Sequence, residues 1–282
     1  MNFDLNHNRP IIALLGAGCM GTAIVRRIAA GKIILLGDIS EKNLKKAAAE
    51  LRYGGYEVHT QIVDATDRIS VRSFAENAAS LGAVKYFIDT AGASPNQASP
   101  EHIVALDLIA TAVAIDEFGK VISEGGAGLI ISSQTGYMMN FPQEVEQQLA
   151  MTPTEKLADL PFVKKDAVAN SGIAYIAAKR CNHLRVRTAA ATTWGDRRAH
   201  INSISPGIII TPLAYDEFSA AGEGYQQMIE ASPARRVGTA DEVSAAGAFL
   251  LSVEAGFITG TDLLIDGGVI AAMNSGKYQL GK

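Results

Sequence analysis

Cysteine is almost absent from this chain: Cys19 and Cys181 are the two among 282 residues. That is too few for a disulfide framework or a zinc site of four Cys ligands, and it suits a reducing compartment. An excess of charge of one sign is missing too. Lys and Arg number 25 against 29 Asp and Glu, a formal charge of −4, so the chain has no basic field of the kind that holds nucleic acid. The apolar run Ile11 to Leu15 falls far short of the roughly 20 residues of a membrane span, and Met1 to Pro10 is too polar for a signal peptide. A cytoplasmic protein without nucleic-acid or membrane partners is expected. His7, His59, His102, His183 and His200 show no metal-ligand spacing, so no metal site is expected.

What is present is an ordinary globular composition, 48% apolar and 19% charged. No Pro/Gly/Ser-rich linker, internal repeat or low-complexity tract divides it, and one domain over residues 1–282 is expected. Short apolar runs alternate with stretches of helical period, which predicts βαβ units. The strand candidates are Ile11–Leu15, Ile33–Leu36, Val58–Val63, Val84–Ile88, Gly128–Ser132, Ile201–Ile204 and Leu263–Ile265. Most are apolar throughout rather than alternating, so helices should cover both faces of a mostly parallel sheet. Helices are expected near 20–30, 40–52, 68–81, 100–123, 172–194 and 240–252.

Two segments break this rhythm. Residues 137–170 are far longer than an ordinary βα loop and read as an insertion with structure of its own. Within it Thr152-Pro153-Thr154-Glu155 has the spacing of a capping box, predicting a short helix. Tyr137-Met138-Met139-Asn140-Phe141 is expected to form an apolar wall facing substrate. Residues 211–236, with Ala220-Ala221-Gly222-Glu223-Gly224, read as a flap. Both segments follow strand ends on the edge where open α/β sheets bind ligands.

Gly16-Ala17-Gly18-Cys19-Met20-Gly21 follows the first strand and opens a helix. Glycines there let a turn tighten and a pyrophosphate approach the backbone, while the helix N-terminus offers free N–H groups. The same turn would also serve merely to pack helix on strand. Asp38 ends the second strand, 22 residues after Gly16, near the spacing of a carboxylate that binds an adenosine ribose. Such a carboxylate repels a 2′-phosphate, and neither Met20 nor Ile39 supplies a compensating cation, so NAD(H) is preferred over NADP(H). Asp38 could instead, or also, cap the helix starting near Ser40.

Further motifs follow in order: Asp64-Ala65, Ala91-Gly92, Ser132-Ser133, Tyr175-Ile176-Ala177-Ala178-Lys179, then Asn202 to Thr211, Thr259-Gly260 and Asp266-Gly267-Gly268. With the glycine turn they cover roughly 250 of the 282 residues, and the chain resembles the short-chain dehydrogenase/reductase family. The resemblance implies a doubly wound Rossmann fold with a seven-stranded mostly parallel sheet. It also implies a homo-oligomer, dimer or tetramer, packed partly through the helices near 100–123 and 172–194. By resemblance, Gly16, Gly18, Met20 and Gly21 hold the pyrophosphate, Asp64 and Ala65 contact adenine, and Ala91 and Gly92 line the ribose. Pro206, Gly207, Ile209 and Thr211 hold the nicotinamide end. The family's glycine turn is a residue longer, its Asn-Ala-Gly is here Thr90-Ala91-Gly92, and the Asn of its proton relay aligns with Asp107. That last replacement leaves open whether Asp107 fills the relay role.

Moving a hydride between an alcohol carbon and nicotinamide requires a group that exchanges the hydroxyl proton. Tyr175 and Lys179, i and i+4 on one helix face, provide a phenol and the adjacent cation that lowers its pKa by about 1–3 units. Lys179 in the family also holds the nicotinamide ribose. Ser133 would donate to the substrate oxygen, with Ser132 as the fallback. The expected function is an NAD(H)-dependent oxidoreductase interconverting a secondary alcohol and a ketone, on a small and largely apolar substrate. Two alternatives remain: a 3-oxoacyl thioester reductase, and a non-catalytic dinucleotide-binding or sensing module.

Overall fold

Strands whose residues are apolar on every position need cover on both faces, and the computed structural model of the chain supplies it. It describes residues 9–96, 98–164, 168–211 and 224–279. β1 (Ile11–Leu15), β2 (Ile33–Asp38), β3 (Glu57–Ile62), β4 (Val84–Asp89), β5 (Ala127–Ile131) and β6 (His200–Pro206) lie in one sheet. The short β7 (Ile209–Ile210) and β8 (Gly238–Thr239) pair beside it, and β9 (Asp262–Ile265) completes the main sheet. The order is β3-β2-β1-β4-β5-β6-β9 with every neighbouring pair parallel. The expected sheet is therefore present, and wholly rather than mostly parallel.

The helices that frame the sheet are α1 (Cys19–Ile28), α2 (Glu41–Tyr53), α3 (Arg68–Leu81), α4 (Pro100–Ile103), α5 (Thr111–Val121), α6 (Gln143–Met151), α7 (Ser171–Ala191), α8 (Ala240–Leu250) and α9 (Val269–Asn274), and residues 224–231 are helical as well. Alternate strand residues divide between two cores, as the pleat requires. Ile11, Ala13, Leu15, Leu35 and Phe87 pack against α3, α5 and α7 through Phe74, Phe118 and Val186. Ile12, Leu14, Ile34, Leu36 and Ile88 face α1, α2 and α8 through Ile24, Leu44 and Val243. Trp194, fully buried, donates its indole N–H to the Ile115 carbonyl at 3.0 Å. It rests where only a glycine leaves room, since a Cβ on Gly128 would lie 2.6 Å from its ring.

The stretch read as one helix over 100–123 is α4, a π-helical segment Val104–Ala110, and α5 in continuous succession. A wider turn shifts the phase of the helix, and such segments gather at functional sites. This one carries Asp107.

The insertion contains α6, which the sequence reading did not anticipate, and a 3₁₀ turn Thr154–Asp159. The short helix foreseen near Thr152 is this 3₁₀ turn, with no capping bond. Thr154 instead accepts from Arg185 Nη2 at 2.6 Å. Arg185 Nη1 also donates to the Ala150 and Thr152 carbonyls at 3.0 and 2.8 Å. Arg180 pairs with Glu146 at 2.6 Å. Leu149 and Leu157, fully buried, join Ile103, Leu108, Ala174, Ala178 and Cys181 in a third apolar cluster. Burial pushes the Cys181 thiol up to about 12, so it packs as an unreactive apolar group. The insertion thus packs on part of α7 and on the π-helical stretch before α5 through its own apolar residues. Most of the expected flap, residues 212–223, lies outside the described residues.

Because three Arg185 bonds fasten the insertion to α7, Arg185→Ala should cost about 1–3 kcal/mol. Limited proteolysis should then cut within 143–163 well before the sheet unfolds; cleavage no faster than in the wild type would show that the apolar cluster alone holds the segment.

Candidate active site

The order of strands reverses direction beside β1, which is flanked by β2 and β4. Leu15 pairs with Gly37 on one side and with Asp89 on the other, so the turns after β1 and β4 meet at the C-terminal edge, where such sheets open a crevice. Gly16 sits at φ +87°, and a Cβ on it would lie 2.6 Å from the Ala91 nitrogen. Thr90 Oγ1 donates to the Gly16 carbonyl at 2.6 Å, tying the two turns together. Gly21 is equally constrained, with Thr90 Oγ1 and Leu14 Cδ1 each 2.7 Å from a built Cβ. At Gly18 a Cβ would meet nothing within 4 Å, and this residue caps α1 with no side-chain bond to the helix. The first N–H groups of α1 are thus left without a side-chain cap, as at helix starts that receive a phosphate. Met20 packs against the second core.

Asp38 does more than cap. Its Oδ2 accepts from the Ala17 N–H at 2.8 Å and its Oδ1 from the Ser40 N–H at 2.7 Å, while Ser40 itself caps α2 through Asn43. The carboxylate is anchored at the crevice rim with a lone pair remaining on each oxygen. Beside it Ile39 is exposed, and Lys45 is paired with Glu41 at 2.9 Å. Asp64 Oδ1 accepts from the Thr66 N–H and hydroxyl at 2.9 and 2.7 Å, and Ala65 is buried in the first core.

Tyr175 and Lys179 share a face of α7, with the Lys179 ammonium 5.1 Å from the phenol ring centre. That ammonium is also 2.9 Å from Asp107 Oδ1, and both side chains are shut off from solvent. Asp107 Oδ2 accepts from the Ala93 N–H at 3.1 Å. Gly92 must be glycine here, since a Cβ would lie 2.7 Å from Asp107 Oδ1. Burial by itself would lower the Lys179 ammonium; Asp107, Tyr175 and Asp89 together reverse this and raise it, so it stays charged.

The two serines divide their work. Ser132 donates its hydroxyl to the Lys179 carbonyl at 3.0 Å, deep in the structure. Ser133 Oγ accepts from the Thr135 N–H at 3.2 Å, which occupies a lone pair and leaves its single proton free to donate. Ser133 thus remains the candidate, and Ser132 is a fastener for α7.

Other residues land differently. Gly207 donates to the Ile265 carbonyl at 2.8 Å directly after Pro206, and a Cβ on it would strike Asp266. Thr211 is the last described residue before 212–223. The Ile209 side chain is buried in the second core, paired in register with Gly238, so any cofactor contact it makes comes from its backbone. Tyr137, from the expected apolar wall, is held by polar partners. Its hydroxyl donates to Asp262 Oδ2 at 2.7 Å and its ring packs on His183, 5.0 Å between centres.

Two groups escaped the sequence reading. His183 lies a further turn along the Tyr175–Lys179 face, buried, with Nε2 2.8 Å from Ser205 Oγ and 3.4 Å from Asp262 Oδ1. Burial lowers it to about 4, so it is neutral at physiological pH. Asp89, ending β4 and 3% exposed, accepts from the Ala91 N–H at 3.0 Å. Its burial raises it to about 7; the Ala91 bond and Lys179 pull it down, and Asp107 pushes it up. The signal was available in Asp89-Thr90-Ala91-Gly92, where an acid directly precedes the turn.

A carboxyl raised to about 7 in the folded chain, against about 3.9 unfolded, keeps its proton longer when folded. The stability this gives is full below about pH 4 and is lost as pH rises through about 7. Asp89→Asn should remove that loss, gaining on the order of 2 kcal/mol over the wild type at about pH 8 relative to about pH 5 in urea unfolding. His183 works in the opposite sense in both proteins and cancels. An equal difference at both pH values would show that Asp89 does not titrate in this range.

The family described as enoyl-(acyl carrier protein) reductase matches residues 16–270. The short-chain dehydrogenase/reductase bsc3 of Alternaria brassicicola is 40% identical over 266 residues, 93% of this chain and 96% of that protein. The galactitol 2-dehydrogenase (L-tagatose-forming) of Cereibacter sphaeroides is 28% identical over 268 residues, covering 91% and 93%. Among solved structures, a Serratia marcescens short-chain dehydrogenase/reductase superposes with a TM-score of 0.73 at 21% identity, over 94% of this chain and 99% of that one. Levodione reductase does so with a TM-score of 0.72 at 22% identity, over the same shares. At that identity these structures speak to the fold alone. The match along nearly the whole chain places this protein in the short-chain dehydrogenase/reductase family, as an oxidoreductase.

Proposed function

We propose that the protein is an NAD(H)-dependent oxidoreductase that interconverts a secondary alcohol and a ketone. The observation that carries this reading is the Tyr175–Lys179 pair, an ammonium 5.1 Å from a phenol ring, set at the sheet edge that also presents the Gly16–Gly21 turn and Ser133. A bound nicotinamide dinucleotide supplies or accepts the hydride. In the reducing direction Ser133 donates a hydrogen bond to the carbonyl oxygen and Tyr175 transfers its proton to that oxygen as the alcohol forms. Lys179 holds the nicotinamide ribose and stabilises the phenolate left behind. Gly16, Gly18 and Gly21 hold the pyrophosphate against the α1 N-terminus, and Asp64, Ala65, Ala91 and Gly92 line the adenosine. Pro206, Gly207, Ile209 and Thr211 hold the nicotinamide end.

NAD(H) is favoured over NADP(H) because the Asp38 carboxylate is fixed by two backbone donors at the rim, where a 2′-phosphate would meet it. Tyr175 packs at the margin of the third cluster with Ala93, Ala98 and Val168, which favours a small substrate that is apolar beyond its reacting carbon. The galactitol-converting relative argues for a polyol instead, and the family description keeps an acyl thioester in view. Free Cys19 and Cys181 accord with a cytoplasmic setting. The end of α8 and the turn after it expose Phe249, Val253 and Phe257, which favours self-association there.

Tyr175→Phe should abolish turnover while leaving NADH binding intact, with fluorescence titration as the check; retained turnover would overturn the acid/base role. NADH should outperform NADPH on a panel of ketones, diketones, keto-sugars and a 3-oxoacyl thioester, and Asp38→Asn should narrow that preference by about tenfold or more. A preference for NADPH together with the thioester would favour the thioester reductase, and NADH binding without turnover on any member would favour a sensing module.

A further inference from the structure

Ser133 stands at the start of a short turn, and its hydroxyl is only as well placed as that turn is above α7. The turn is the 3₁₀ segment Gln134–Tyr137. It is closed by the Gly136 N–H donating to the Ser133 carbonyl at 3.0 Å and by the Thr135 N–H donating to Ser133 Oγ at 3.2 Å. Its underside rests on His183. A Cβ on Gly136 would lie 2.6 Å from the imidazole Cε1 and 3.1 Å from the Lys179 carbonyl carbon, so turn, ring and helix touch directly. The next residue, Tyr137, covers the same ring at 5.0 Å between centres.

The ring is pinned from the sheet. Its Nε2 lies 2.8 Å from Ser205 Oγ on β6 and 3.4 Å from Asp262 Oδ1 on β9. Asp262 also accepts from the Ser203 hydroxyl at 2.6 Å and the Tyr137 hydroxyl at 2.7 Å, which closes a loop from the turn back to the ring. Nδ1 is buried without a hydrogen-bond partner among the described residues. With a carboxylate and a hydroxyl oxygen facing Nε2, the proton of the neutral ring belongs there. Ser205, His183 and Asp262 do not make a hydrolytic triad. Ser205 is fully buried, and hydroxyl and carboxylate share one ring nitrogen instead of holding one each.

We infer that His183 is a positioning residue for Ser133: its imidazole, locked by Ser205 and Asp262, sets the height of the turn carrying the Ser133 hydroxyl above the Tyr175–Lys179 stretch of α7. The inference rests on the reaction proposed above, in which Ser133 and Tyr175 meet at one carbonyl oxygen. Those two hydroxyls come from different elements, a strand end and a helix, and their spacing is fixed where the elements touch. A misplacement of about 1 Å in such a site costs about a hundredfold in rate. Ser132 fastens α7 to the strand end through the Lys179 carbonyl; His183 does the same for the turn that follows. Burial keeps His183 neutral, so it serves as a fixed donor and brings no charge to the site.

Two variants separate the hydrogen bonds from the packing. His183→Gln places an N–H the same number of bonds from the backbone as Nε2, while His183→Leu keeps apolar bulk without a donor. Amide hydrogen exchange over residues 133–138 reads the order of the turn and needs no turnover. It should match the wild type in His183→Gln and run about tenfold faster or more in His183→Leu. For carbonyl reduction, kcat should stay within about threefold in the first and fall about tenfold to a hundredfold in the second, with NADH binding unchanged in both. Wild-type exchange and kcat in His183→Leu, with only thermal stability lowered, would reduce His183 to packing and overturn the inference. So would a His183→Gln chain no better than His183→Leu. Should either variant fail to fold, Ser205→Ala decides, because it unlocks the ring from the sheet without altering α7; exchange at the wild-type rate there overturns the inference. The expected exchange pattern in a chain that turns over no carbonyl would instead defeat the proposed function.

Discussion

The ion pair between Lys179 and Asp107 organises more of this molecule than its single contact suggests. It joins the middle of α7 to the π-helical stretch between α4 and α5, two elements more than 70 positions apart in the chain. Its partners then become obligatory. Gly92 has no room for a side chain because Asp107 lies against it, Ala93 must offer its N–H, and Ser132 secures the Lys179 backbone from the strand side. Breaking such a pair by deleting one member leaves an uncompensated buried charge and typically costs about 3–5 kcal/mol. The geometry of the Tyr175 site is therefore enforced by electrostatics that the fold cannot easily relax.

The dinucleotide end of the crevice is governed by steric closeness instead. Gly16 and Ala91 approach so nearly that the turns after β1 and β4 behave as one unit, with Thr90 as the strap between them. This explains how a glycine turn one residue shorter than the family's usual form coexists with Thr90 in place of its usual Asn. Thr90 fills the space above Gly21 and binds the Gly16 carbonyl, a role that a short β-branched hydroxyl side chain performs well. Asp38 then fixes the far side of the turn through Ala17. The two ends of the crevice meet at Ala91–Gly92, which touches the glycine turn on one side and Asp107 on the other.

Much of this was legible before any coordinates. Strands buried on both faces read as apolar runs, so Ile11–Leu15 and, despite Lys85, Val84–Ile88 were visible in place. The i, i+4 spacing of Tyr175 and Lys179 survives any error in helix boundaries, and Asp38 declares itself by ending a strand at the right distance. What escaped depends on contacts between distant segments. The π-helical phase around Asp107 has no sequence signature, because Val104 to Ala110 fits an α-helix equally well. α6 was hidden because its apolar residues, such as Val145 and Leu149, are separated by Glu and Gln and gain meaning only against α7. The partners of Tyr137, Asp262 and His183, lie far along the chain and could not be read from residues 137–141. The choice between Ser132 and Ser133 needed the Lys179 carbonyl.

Asp89 shows how these levels combine. At the end of a strand an acid is unremarkable in sequence, being a usual residue before a turn. Folded, it becomes a second carboxyl near an ammonium that Asp107 already neutralises, and two buried carboxylates cannot both be charged cheaply against one cation. Burial raises Asp89 to about 7, while Asp107, closer to the ammonium, is the better placed to carry the negative charge. Around neutrality Asp89 is therefore the member of the trio poised to take up or release a proton, beside an ammonium that its acidic neighbours keep charged.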